Sequence, residues 1–76
     1  MFNARLLKEK MNAQPFKPFR IHMSDGKVYD VPNHDAAFVK ASTIEIGLDL
    51  NKDGLARRSI DCSILLITSI EELQAA

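Results

Sequence analysis

The residues flanking Ser24-Asp25-Gly26 set the strongest constraint on what this chain can fold into. Two β-prone runs meet there, so the segment over residues 15–31 predicts a β-hairpin. Two registers compete. A two-residue Asp25-Gly26 turn would pair Ser24 with Lys27 and set Ile21 opposite Asp30, which brings a carboxylate onto the apolar face. A three-residue Ser24-Asp25-Gly26 turn, with Gly26 left-handed at a bulge, pairs Met23 with Lys27, Ile21 with Tyr29 and Phe19 with Val31. Phe19, Ile21, Met23, Tyr29 and Val31 then share one face, and Arg20, His22, Val28 and Asp30 the other. A slip of one residue would invert every side chain. The second register is therefore the expected one.

The remaining elements are arranged around this hairpin. Asn3 is a candidate N-cap for an amphipathic helix over residues 4–13, with Ala4, Leu7 and Met11 on one stripe and Phe2 and Leu6 beside it. About ten residues of helix are not stable alone, so the stripe is expected to dock, with Pro15 as the stop. Pro15 and Pro18 predict an extended lead-in that uses Phe16 and Phe19 as anchors. Pro32 ends the second strand. Residues 33–40 read as one helical turn, with His34 as its cap, that drops Phe38 or Val39 into the core. Residues 41–48 form a third strand, with Ile44, Ile46 and Leu48 in one phase. Residues 51–54 form a polar turn, and residues 55–62 a fourth strand with Arg58, Ile60 and Cys62 in one phase. Residues 63–66 suggest a tight 3₁₀ turn, residues 67–73 a last short strand and residues 74–76 a tail.

The expectation is one mainly β domain over residues 1–76. It consists of a short N-terminal helix within residues 1–14 and about five antiparallel strands over residues 15–73, bent into a small SH3-like or Sm-like barrel. A helix on an open antiparallel sheet, an α+β arrangement, is the alternative. Seventy-six residues leave room for one thin core. A single cysteine, Cys62, excludes an internal disulfide and suits a reducing cytoplasm. No apolar run reaches the length of a membrane span. Arg5, Lys8, Glu9 and Lys10 interrupt any secretory leader at the N-terminus.

Ten basic and ten acidic residues give zero net charge, which argues against a dedicated electrostatic binder of nucleic acid. The distribution is uneven. Residues 1–31 carry six basic against three acidic side chains, and residues 32–76 carry four against seven. Cross-strand pairing within the chain would cancel this asymmetry; a basic face offered to an acidic partner is the functional alternative.

The run from Pro15 to Gly26, with its Pro-Phe-x-Pro-Phe-x-Ile-x-x-Ser-Asp-Gly pattern, resembles the core of a group of small bacterial proteins without an established activity. A His-x-x-x-Phe turn, here His34 to Phe38, and an apolar finish, here Leu65-Leu66-Ile67-Thr68-Ser69-Ile70-Glu71, extend the likeness over most of the chain after residue 14. Many members have a His-Pro pair where this chain has His34-Asp35, so the turn is expected to differ locally. The resemblance implies no activity, cofactor or site residue. The Asp-x-x-Met-Asn element of Sm-type RNA binding is missing, which argues against RNA binding by that route.

The sequence holds few candidates for chemistry. Asp49-Leu50-Asn51-Lys52-Asp53-Gly54 imitates the opening of a calcium-binding EF-hand loop, but position twelve is Ile60 and strands flank the segment. It reads as a turn, with weak calcium occupancy left open. His22, His34, Asp35 and Cys62 show no metal-ligand spacing. Cys62 sits among apolar residues and reads as buried and inert, and His22 is expected on the outer strand face beside Asp30 or Tyr29. No catalytic residue, cofactor or metal is expected. The function expected is a non-catalytic binding or protein-interaction module, with self-association among its options. Open strand edges and the apolar run over residues 64–67 both call for a partner. The candidate binding face comprises Lys17, Arg20, His22, Lys27, Arg57 and Arg58. A small Sm-like nucleic-acid-binding protein is the alternative, with those cations on the backbone and Phe16 or Tyr29 stacking on bases.

Overall fold

The computed structural model describes residues 2–73 and is mainly β, with one short helix and six strands. The tail expected over residues 74–76 lies outside the described residues. Helix α1 spans Ala4–Met11. Asn3 caps it in extended conformation, its Oδ1 accepting the Leu6 N–H at 2.9 Å. Lys8 and Lys10 sit in the last turn, where positive charge complements the helix dipole. The helix ends at Met11, ahead of Pro15, and the Gln14–Pro15 peptide is cis. Leu7 and Met11 are buried, so the predicted stripe is the docking face.

Strands β1 (Phe19–Met23) and β2 (Val28–Val31) pair antiparallel, with Phe19 opposite Val31 and Ile21 opposite Tyr29. The Met23 N–H donates to the Lys27 carbonyl at 2.9 Å, and the Gly26 N–H returns to the Met23 carbonyl at 3.0 Å. Gly26 has φ +90°, the left-handed conformation that the three-residue turn requires of it. The expected register is therefore the one formed. Phe19, Ile21 and Val31 are fully buried, and Met23 nearly so.

Strands β3 (Ala37–Val39), β4 (Thr43–Leu50) and β5 (Ala56–Ser63) form a second antiparallel sheet in the order β3-β4-β5. A 3₁₀ turn over Ile64–Leu66 follows, and β6 (Ile67–Glu72) returns to lie beside β1. The first sheet thus has the order β2-β1-β6, its β1–β6 ladder broken by an irregularity between His22 and Met23. Among the described residues the expected mainly β domain with one short helix is formed, its six strands falling into these two three-stranded antiparallel sheets with no closed barrel found. The chain after Pro32 starts a new sheet instead of extending the first. One hydrophobic cluster joins both sheets and the helix, with Leu7, Phe19, Ile21, Val31, Ile44 and Ile46 at its centre.

Residues 33–40 depart from the helical turn expected there. The Ala36 N–H bonds the Asn33 carbonyl at 3.1 Å, the chain turns, and residues 37–39 become strand. Ala36 is the buried residue, whereas Phe38 is 60% exposed and Val39 only half-buried. Asn33, and not His34, caps this turn, its Oδ1 accepting the Asp35 N–H. The cause is pairing with β4. The Gly47 N–H donates to the Ala36 carbonyl at 2.7 Å, and the ladder sets Ala37 and Val39 opposite Ile46 and Ile44 and Phe38 opposite Glu45 on the outer face.

A Cβ at Gly47 would stand 2.9 Å from the Ala56 Cβ and 3.2 Å from the Ala36 carbonyl oxygen. Neither neighbour is the free end of a flexible side chain. Gly47→Ala should therefore destabilise the fold by about 1–3 kcal/mol, as overpacking does. A shift in the urea unfolding midpoint measures this, and an unchanged midpoint would refute the close approach.

Candidate functional site

The six candidate binding residues are divided between the two sheets. Arg20 and His22 stand on the outer face of β1, where the alternation of the strand puts them. β2 and β6 flank them and supply carboxylates. Arg20 Nε donates to Asp30 Oδ1 at 2.7 Å and Nη2 to Oδ2 at 3.2 Å, a bidentate pair. This pair raises the Arg20 pKa, chiefly through the hydrogen bond, and holds the Asp30 carboxyl below its ordinary value. His22 Nε2 lies 3.0 Å from Glu71 Oε1. Its partner is thus Glu71, not Asp30 or Tyr29, because β6 pairs with β1 on the side away from β2. On the outer face of the first sheet Arg20 meets Asp30 and His22 meets Glu71 in one cross-strand ladder.

Lys27 follows the hairpin turn, where its N–H donates to Asp25 Oδ1. Lys17 lies at the rim of a groove of about 530 Å³ beneath α1, lined by Phe2, Leu6, Pro15 and Ile70, with Lys10 and Glu72 also on its walls. Arg57 and Arg58 are exposed on β5, and as consecutive strand residues they point to opposite faces. Lys40 Nζ holds Asp61 at 3.1 Å and Glu45 at 3.5 Å on the outer face of the second sheet, and the Ser59 hydroxyl donates to Glu45 at 2.7 Å.

The residues singled out for metal or nucleophile chemistry are not brought together. His22 and Cys62 belong to different sheets, and His34 pairs with its neighbour Asp35 at 3.3 Å. Among the described residues no three His, Cys, Asp or Glu side chains converge on a common point for a metal. Cys62 is buried, and burial, with Asp25 and Asp61 adding to it, pushes its thiol pKa up. A thiol held in its protonated form is a poor nucleophile. The Asp49–Gly54 segment is a turn. Asn51 Oδ1 accepts the N–H groups of Asp53 and Leu55, and Gly54 takes φ +81°.

The backbone of β5 carries the feature that the sequence pattern did not expose. Among the described residues β5 has β4 on one side and no strand on the other. The direction of its free groups follows from the ladder next door. The Gly47 N–H bonds Ala36, and the Thr43 carbonyl accepts from Lys40, so both residues turn their backbone groups toward the β3 side. Their partners across the ladder, Ser59 and Ser63, then turn theirs away from β4. Alternation assigns Asp61 the same direction. Residues 56–59 and 61 are exposed. The other edges are shorter: β2 has four residues, β3 three and β6 six, against eight for β5.

Large apolar side chains stand exposed at both ends of β5. Leu55 is 65% exposed before it, and Leu65 is 74% exposed in the 3₁₀ turn after it, with Leu66 beside. The apolar run over residues 64–67 therefore divides, with Ile64 and Ile67 buried and Leu65 and Leu66 facing outward. Among the described residues no helix is long and apolar enough to cross a membrane. No known protein family, characterised protein or solved structure matches this chain.

The Arg20–Asp30 pair has a pH signature. Because the folded-state pKa of Asp30 is depressed, its contribution to stability is present above the ordinary carboxylate range and is lost as pH falls through the folded value. Asp30→Asn should lower the unfolding midpoint at neutral pH, and the gap from the parent should close well below the carboxylate range. Paired unfolding curves at the two pH values check this, and an equal gap at both would contradict it.

Proposed function

We propose that this chain is a small, non-catalytic protein-interaction module that works by presenting β5 to an extended segment of another chain. The observation that carries the reading is the eight-residue open edge with its outward backbone groups at Ser59, Asp61 and Ser63. An added strand satisfies such groups with main-chain hydrogen bonds and reads alternate side chains for specificity. Leu55 and Leu65 offer apolar contacts at the two ends of the edge. Arg57, Arg58 and Asp61 guard it against indiscriminate pairing, since a charge on an edge strand must be matched by its partner. The single buried thiol fits a reducing bacterial cytoplasm.

Nucleic-acid binding is the second reading. Arg57 and Arg58 favour it, being exposed on one edge. The pairing of Arg20 and His22 with carboxylates weakens it, because those side chains add little positive potential to the surface.

A photo-reactive residue in place of Ser59, compared in the living cell with the same residue in place of Val28 on the other sheet, separates these readings. The interaction reading expects protein adducts that are strong at 59 and weak at 28. Nucleic-acid adducts alone at 59 would transfer support to the second reading. Adducts equal at both positions, or none at 59, would remove β5 as the docking edge.

A further inference from the structure

We propose that the strand β5 accepts is the β5 of a second copy of this chain, paired antiparallel about a two-fold axis at Ser59. The inference rests on the reading of β5 as a docking edge and adds the occupant and the register.

Two independent features of β5 select that register. The first is charge. In a continuous antiparallel sheet, directly opposite residues share a face. The charged side chains of β5 are Arg57, Arg58 and Asp61. Arg57 and Asp61 are four residues apart and share the outer face. Centring the two-fold on Ser59 sets Arg57 of each copy opposite Asp61 of the other, so two ion pairs form by symmetry. Centring on Arg57, Arg58 or Asp61 opposes like charges on the axis. Centring on Ile60 sets Arg58 opposite Cys62 and leaves Asp61 facing Ser59. Opposing Arg58 to Asp61 would require residues on different faces.

The second feature is backbone parity. An antiparallel ladder alternates hydrogen-bonded and non-hydrogen-bonded pairs. Ser59 and Asp61 turn their N–H and C=O groups away from β4, as the bonding of Gly47 and Thr43 to the β3 side dictates. A two-fold at Ser59 brings those outward groups face to face, with each Ser59 N–H donating to the other copy's Ser59 carbonyl. Charge and parity derive from different atoms and agree on one residue.

The ends of the strand fit as well. Antiparallel pairing carries the start of one β5 to the finish of the other, so exposed Leu55 comes beside Ser63 of the second copy, at the foot of the turn that holds exposed Leu65. Asp61 keeps Lys40 on its own chain and gains Arg57 from the other, so it accepts from two cations. The contact is isologous and closes on itself, which gives a dimer and not a filament. It joins β3-β4-β5 of both copies into one six-stranded sheet.

Sedimentation velocity from micromolar to millimolar concentration should show a monomer–dimer equilibrium. Arg57→Asp opposes carboxylates across the axis and should raise the dimer dissociation constant at least tenfold, as should Asp61→Arg, which opposes cations. Mixing these two variants restores both ion pairs, so a heterodimer should form where neither variant alone dimerises. Ser59→Pro removes an outward N–H and no backbone bond to β4, and should abolish dimer without either charge change, whereas Ser59→Ala, which loses only the hydroxyl bond to Glu45 that proline also loses, should leave the dimer in place. A chain that stays monomeric throughout overturns the proposal, as does a dimer indifferent to Arg57→Asp. If the chain is monomeric while cellular adducts at position 59 still run to a different protein, the docking edge stands and self-pairing falls. If those adducts are missing too, both fall.

Discussion

Everything in this molecule depends on one shared core, in which two three-stranded sheets and a short helix bury the same set of apolar side chains. Leu7, Phe19, Ile21, Val31, Ile44 and Ile46 are fully buried, and they come from the helix and from both sheets. Burying a side chain of this size contributes about 1.5–3 kcal/mol, so no single element could be removed without exposing its share of the cluster. The helix is too short to persist alone and a two-stranded hairpin is marginal, so each element is ordered by the others. A core this small fills the space between the sheets but does not extend around their sides. Among the described residues, six strands in two sheets therefore leave four edges.

Those edges are unequal, and the difference points to function. β2 is short and stops at Pro32, and β3 has only three residues. β6 lies along the groove beneath the helix, which Ile70 and Glu72 line together with Phe2 and Leu6. β5 is longer than any of these and is exposed over most of its length. The charges follow the same division. On the first sheet Arg20 meets Asp30 and His22 meets Glu71 across strands, on a solvated face. On β5, Arg57 and Asp61 lie four residues apart on one face, a spacing that a two-fold copy answers.

The hairpin was legible in the sequence because one carboxylate decided it. Only the three-residue turn keeps Asp30 out of the core, and that constraint also placed Arg20 and His22 outside. The Asn3 cap and the 3₁₀ turn after Ser63 were legible because their signals are local. Residues 33–40 were misread because what determines them is distant in sequence. Phe38 is exposed because pairing with β4 sets it opposite Glu45 on the outer face, a register that local sequence does not reveal. The Glu71 partner of His22 was equally hidden, since it depends on β6 returning to β1 across most of the chain. Which side of β5 is open could not be read, because the sequence shows that a strand exists and not which side of it is paired.

β5 presents an unpaired edge with alternating backbone groups, a property that amide hydrogen exchange reads residue by residue in dilute solution. Exchange should be fast at Ser59 and Asp61, whose N–H groups point away from β4, and many-fold slower at Ile60 and Cys62, whose N–H groups point into the ladder. Equal protection at all four amides in the dilute monomer would mean that the edge is covered within the chain, and would contradict the account.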